Sequence, residues 1–91
     1  MLEKNIESHL RDRVKELGGI AYKWVSPGNS GVPDRIVVLP GNKVVFVELK
    51  APGKKPTALQ VNQHKKLSQR GCDVRVIDSK EQVDLLLQEL V

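Results

Sequence analysis

The amino-acid sequence predicts an α/β fold in which a mixed four-stranded sheet is flanked by helices. Three observations predict it. Apolar residues recur at helical spacing near both ends of the chain; two β-branched runs in the middle are joined by a tight-turn signal; and a helix long enough to serve as a crossover separates the second run from a later one. A crossover of that length makes the strands it joins parallel, whereas a short turn makes them antiparallel.

Leu2, Ile6, Leu10, Val14 and Leu17 form one stripe, and Gly18-Gly19 stop it, so residues 2–17 read as an amphipathic helix. Ile20 to Val25 alternates as a strand, with Tyr22 and Trp24 on the face of Ile20, where core packing is the expected role of the two rings. Ser26-Pro27-Gly28-Asn29-Ser30-Gly31 is too rich in turn formers to be anything but a loop. Asp34 to Leu39 and Lys43 to Lys50 are strands joined by Pro40-Gly41-Asn42, a hairpin signal. The second of these carries apolar residues on both faces, Val45, Val47 and Leu49 against Val44 and Phe46, which predicts an interior strand covered on both sides. After the loop 51–56, Thr57 opens a helix that Gly71 ends; residues 73–77 form a short strand, and residues 79–90 form a last helix with Val83, Leu86, Leu87 and Leu90 as its stripe.

Length and composition exclude several classes. Ninety-one residues are expected to make one domain, residues 1–91, and a chain this short buries only about 60 to 65% of its unfolded surface, so a stabilising dimer contact is expected. A content of 40% hydrophobic and 29% charged residues is that of an ordinary globular chain. The single Cys72 excludes an internal disulfide and a thiolate zinc site, and no apolar stretch approaches a membrane span, so a cytoplasmic protein is expected. The formal charge of +4 is unevenly placed: residues 47–70 carry Lys50, Lys54, Lys55, Lys65, Lys66 and Arg70 against Glu48 alone, net +5. A patch of this kind is the footprint of a polyanion, nucleic acid first, with a solvated lysine-rich surface as the alternative.

That basic stretch begins at a cluster with chemistry in it. Glu48 and Lys50 share one face of a strand, and the hairpin brings Asp34, at the start of the neighbouring strand, close to both. Two adjacent carboxylates repel each other and favour a bound cation, and an all-oxygen set suits Mg²⁺ or Mn²⁺ better than zinc. A lysine beside them can position water or offset charge on a phosphate. Read one at a time, Asp34 could be an ordinary turn residue, Glu48 and Lys50 a same-face ion pair, and Gln60 the partner of Thr57 in a helix capping box. His9 and His64 read as solvent-facing.

The set Gly31-Val32-Pro33-Asp34, Val47-Glu48-Leu49-Lys50-Ala51-Pro52-Gly53 and Leu59-Gln60, together with an acidic N-terminal helix, resembles the VRR-NUC branch of the PD-(D/E)xK nucleases over nearly the whole chain. The resemblance implies the restriction-endonuclease-like αβββαβ(α) core and in-line hydrolysis of a phosphodiester to a 5′-phosphate and a 3′-hydroxyl. It implies that Asp34 and Glu48 ligate Mg²⁺ or Mn²⁺ with the Leu49 backbone carbonyl, that Lys50 orients the attacking water, and that Gln60 serves the same site. A glutamate of the first helix would bind the metal directly or through water. Glu3 and Glu7 both lie near the apolar stripe; Glu7 is preferred because Glu3 sits in the fraying first turn, and an ion pair with Arg11 is the alternative for Glu7. Lys23, Ser30, Arg35, Lys54, Lys55, Lys65 and Lys66 are candidate contacts to the DNA backbone, which give affinity without sequence choice.

Free-standing members of this kind imply a structure-specific endonuclease for branched DNA, four-way junctions first. Two symmetric nicks across a junction need two sites related by a two-fold axis, hence a homodimer, with the first and last helices as its expected surface. The alternatives are a monomeric flap or single-strand nuclease and a non-catalytic nucleic-acid-binding module. No organic cofactor and no membrane partner are expected.

Overall fold

A computed structural model describes residues 1–91 and gives the order α1 (Glu3–Glu16), β1 (Ile20–Lys23), β2 (Arg35–Leu39), β3 (Lys43–Leu49), α2 (Ala58–Ser68), β4 (Val74–Ile77) and α3 (Lys80–Leu90). The four strands form one mixed sheet in chain order, β1 and β2 antiparallel, β2 and β3 antiparallel, β3 and β4 parallel. Every element of the sequence reading is present within about two residues of its expected bounds.

The sheet has one covered face and one largely open face. Strand alternation sends Val37, Leu39, Val45, Val47, Leu49 and Ile77 to the covered side, where they meet Ile6, Leu10 and Val14 of α1 and Val83, Leu86 and Leu87 of α3 in one core. Burying side chains of this size is worth about 1.5 to 3 kcal/mol each relative to exposure, so this layer is the main source of stability. Because α1 and α3 direct their apolar stripes into that core, the surface they were expected to offer a second copy keeps few large apolar side chains, Leu85 of α3 chief among them.

The expectation that β3 is covered on both sides is corrected. On its second face Val44 is 48% exposed and Phe46 half-buried, and the neighbours Ile20, Tyr22 and Val76 are exposed as well. Tyr22 therefore does not fill the core; Trp24 is half-buried and packs on Phe46 with ring centroids 5.3 Å apart. The physical reason is the number of layers: α1 and α3 pack on one side, and α2 alone crosses the other, so it shelters only the end of β3 that holds Glu48.

Two local devices hold α2 there. Thr57 caps the helix, accepting from the Gln60 N–H at 3.3 Å while its own N–H donates to Gln60 Oε1 at 2.9 Å. The loop before β2 presses against the same turn: a Cβ at Gly31 would stand 2.8 Å from the Leu59 carbonyl, and Gly31 has φ +93°. Only glycine permits that approach in that conformation.

Candidate active site

The β2–β3 hairpin sets the site's geometry. Its register pairs Arg35 with Val47, and one step further Asp34 falls beside Glu48 and Pro33 opposite Leu49. The Leu49 N–H donates to Asp34 Oδ2 at 2.9 Å, which fixes the Asp34 side chain at the strand end. The Asp34 carbonyl accepts from the Trp24 N–H at 2.8 Å, so the backbone of Asp34 is held from the β1 side as well.

Glu48 is the centre of the cluster, with a side chain 1% exposed. Its Oε2 accepts from Gln60 Nε2 at 3.2 Å and lies 3.7 Å from Lys50 Nζ. Its Oε1 lies 3.5 Å from His64 Nε2, and neither of these two buried atoms has a hydrogen-bond partner. The Glu48 carboxyl is raised from 4.5 to about 8, first by burial and then by the neighbouring Asp34 carboxylate. Lys50 opposes this rise, and the charge of Glu3 adds slightly to it. His64 is lowered, first by burial and then by the charge of Lys50.

Asp34, Glu48, Lys50 and Gln60 are thus brought together as expected. Gln60 fills both of its readings at once, its Oε1 closing the capping box and its Nε2 reaching Glu48. A planar amide with an acceptor at one end and donors at the other can do both.

Other expected positions differ. Glu7 does not join the cluster: its carboxylate accepts from Arg35 at 3.1 to 3.2 Å. Arg35 alternates with Asp34 and Ile36 and so projects to the face on which α1 packs, away from Glu48. The α1 glutamate whose charge reaches Glu48 is Glu3. Arg35 is itself buried, and it also donates to the Ala21 carbonyl at 3.0 Å, so it is no free phosphate contact. Lys23, Ser30, Lys54, Lys55, Lys65 and Lys66 are exposed. His9 is not simply solvated but meets Asp84 of α3 at 2.8 Å, and His64 is buried against Glu48. His64 was the residue sequence reasoning passed over; its one signal was the four-residue spacing from Gln60, which places both on one side of α2.

The donor set fits a hard divalent cation bound at an open position. Asp34 and Glu48 are adjacent carboxylates, and Glu48 Oε1 lacks a hydrogen-bond donor. No three His, Cys, Asp or Glu side chains form a closed cage, so backbone oxygen and water would complete the coordination.

A hairpin that sets an aspartate, a glutamate and a lysine at the mouth of a mixed sheet, beneath a crossover helix carrying a glutamine, defines a nuclease domain of the PD-(D/E)xK type. No family model matches the chain. It is 52% identical over 84 residues to "Putative nuclease p44" of Acyrthosiphon pisum secondary endosymbiont phage 1, an alignment covering 92% of this chain and 90% of that protein. It is also similar to a solved VRR-NUC domain at 34% identity, with a TM-score of 0.91 over 98% of this chain and 97% of the other. The chain belongs to the VRR-NUC family of nucleases. No helix is long and apolar enough to cross a membrane.

Proposed function

We propose that this nuclease is a Mg²⁺- or Mn²⁺-dependent endonuclease that hydrolyses phosphodiesters in branched DNA, four-way junctions first, and acts in the cytoplasm as a homodimer of one-domain chains. The observation that carries the reading is the buried Glu48 carboxyl, crowded by Asp34 and faced by Lys50 at the start of the +5 segment. Asp34 and Glu48, with the Leu49 carbonyl, would hold the cation, and an α1 glutamate, Glu3 in preference to Glu7, would act on it through water. When bound, the cation supplies Lewis-acid stabilisation of charge on the scissile phosphate and lowers the pKa of water.

The chain's own groups do the rest. Lys50 Nζ lies on the strand face of Glu48 and is 15% exposed, so it can orient an attacking water in line with the scissile P–O bond and offset charge on the phosphoryl oxygens. Gln60 donates to Glu48 Oε2, the oxygen that also faces Lys50, and so orients the carboxylate. Lys54 and Lys55, in the exposed loop that follows Lys50, with Lys65 and Lys66 on α2, supply sequence-independent attraction for the backbone. Two sites related by a two-fold axis fit symmetric nicks across a junction.

Synthetic four-way, flap and linear DNA, incubated with and without Mg²⁺ or Mn²⁺, test this directly. Metal-dependent paired nicks in the four-way substrate are expected. Cleavage of flaps with intact junctions would overturn the junction assignment, and binding without cleavage in either metal would overturn the enzyme. Lys50→Ala should lose at least about 10²-fold in cleavage rate while DNA affinity persists.

A further inference from the structure

We propose that His64 is a positioning residue of this site: its Nε2–H donates a hydrogen bond to Glu48 Oε1 and fixes the orientation in which the carboxylate meets the cation. The inference rests on the metal-dependent reading above. It starts from two atoms whose hydrogen-bonding capacity is unused. His64 Nε2 and Glu48 Oε1 are both buried, both lack a hydrogen-bond partner, and face each other at 3.5 Å. A buried polar atom left unpaired is costly, so two such atoms in mutual reach favour a hydrogen bond between them.

Chemistry assigns the donor. An ionised carboxylate only accepts, so with Glu48 charged the hydrogen must sit on the nitrogen that faces it. Charge-assisted bonds of this type run to about 2.7 to 2.9 Å, less than an ångström from the present separation. A small rotation of either side chain closes that gap.

The helix gives the contact a second meaning. Gln60 and His64 are four residues apart, one turn of α2, and each addresses a different oxygen of Glu48, Oε2 from Gln60 and Oε1 from His64. α2 thus grips the carboxylate at two points. The grip is anchored outside the site by the Thr57 cap and by the approach of Gly31 to Leu59. His64 is not itself part of a ligand cage, since no three metal-ligating side chains cluster here. Its action runs through Glu48, as outer hydrogen bonds to metal-ligating groups commonly act, with losses of roughly 10- to 100-fold in metal affinity on their removal.

Calorimetric titration of Mn²⁺ alone into metal-free protein tests the proposal, with Glu48→Gln as the control that removes the ligand. His64→Leu should weaken Mn²⁺ binding about 10- to 100-fold. His64→Gln, which carries an amide N–H at similar reach, should restore affinity to within about threefold, whereas His64→Asn, one methylene shorter, should not. Affinity for four-way DNA in the absence of metal should be the same in wild type and the folded His64 variants. Wild-type Mn²⁺ affinity in folded His64→Leu overturns the proposal, as does a His64→Gln protein no better than His64→Asn. That second comparison stands even if the leucine variant fails to fold. If wild type binds Mn²⁺ and Glu48→Gln does not, a failure of the histidine variants to weaken binding refutes the role of His64 alone. If wild type binds no Mn²⁺, the metal-dependent reading falls and takes the proposal with it.

Discussion

Glu48→Gln should make the metal-free protein more stable at neutral pH while removing its metal affinity. Glu48 sits in the folded protein with its carboxyl raised from 4.5 to about 8 by burial and by Asp34. A carboxyl raised on folding binds more protons in the native than in the unfolded state between those two values. Stability from this group is therefore fully present below pH 4.5 and is lost as pH rises toward 8. At pH 7 the loss amounts to ~3 kcal/mol, taken from the 2.5 pH units above the unfolded value at about 1.4 kcal/mol each. Glutamine is neutral throughout and keeps an oxygen to accept from Gln60, so the variant escapes the loss. For a domain of this size 1 kcal/mol corresponds to roughly 4 to 8 °C, so the variant should melt roughly 10 to 25 °C higher at pH 7 in chelator. At pH 4.5 the two proteins should nearly coincide. The assay is thermal or urea unfolding of both proteins from pH 4.5 to 8.5, read as the difference between their curves, which cancels the other carboxylates. Saturating Mg²⁺ should then stabilise wild type, by mass action on the native state, and leave the variant unmoved. A difference that does not change with pH, or a glutamine variant less stable at pH 7 than at pH 4.5 relative to wild type, would refute the account of Glu48.

Gly31→Ala brings a Cβ to 2.8 Å from the Leu59 carbonyl at φ +93°, so it should destabilise the fold by about 1 to 3 kcal/mol in urea unfolding and lower Mn²⁺ affinity by displacing α2. Thr57→Ala removes the cap and should cost about 1 kcal/mol, with metal affinity reduced less than by Gly31→Ala because Gln60 keeps its amide N–H on Glu48. Lys54→Ala with Lys55→Ala should weaken four-way DNA binding evenly across sequences and flatten the salt dependence, by about two in the log–log slope if both touch phosphate. Asp34→Asn should abolish Mn²⁺ binding in the same titration, and retained affinity would remove Asp34 from the ligand set.

The elements were legible because each rests on local chemistry: the stripe Ile6, Leu10, Val14 has helical period, the hairpin has its Pro40-Gly41-Asn42 turn, and α2 opens on Thr57. Asp34, Glu48 and Lys50 were legible for a related reason. Strand periodicity places two of them on one face, and hairpin register brings in the third. The double role of Gln60 was foreseen in each half separately, since one side chain carries both an acceptor and a donor.

What failed were readings that depend on which layer faces which. Tyr22 and Val44 lie on the part of the second face that α2 does not reach, and nothing in an alternating strand says how many layers will pack on it. Arg35 turns inward to Glu7 because strand alternation and the docking of α1 place an acceptor there, an encounter 28 residues apart in sequence. The same docking takes Glu7 out of the site and leaves Glu3 as the glutamate felt by Glu48. The sequence by itself determined the elements, their order and the carboxylate–lysine centre, all consequences of periodicity and turn chemistry within short stretches of chain. Only the tertiary structure decided that α2 lies over Glu48, so that Gln60 and His64 converge on its two oxygens and burial raises its carboxyl. Desolvation and convergence are properties of packed neighbours, and no single segment carries them.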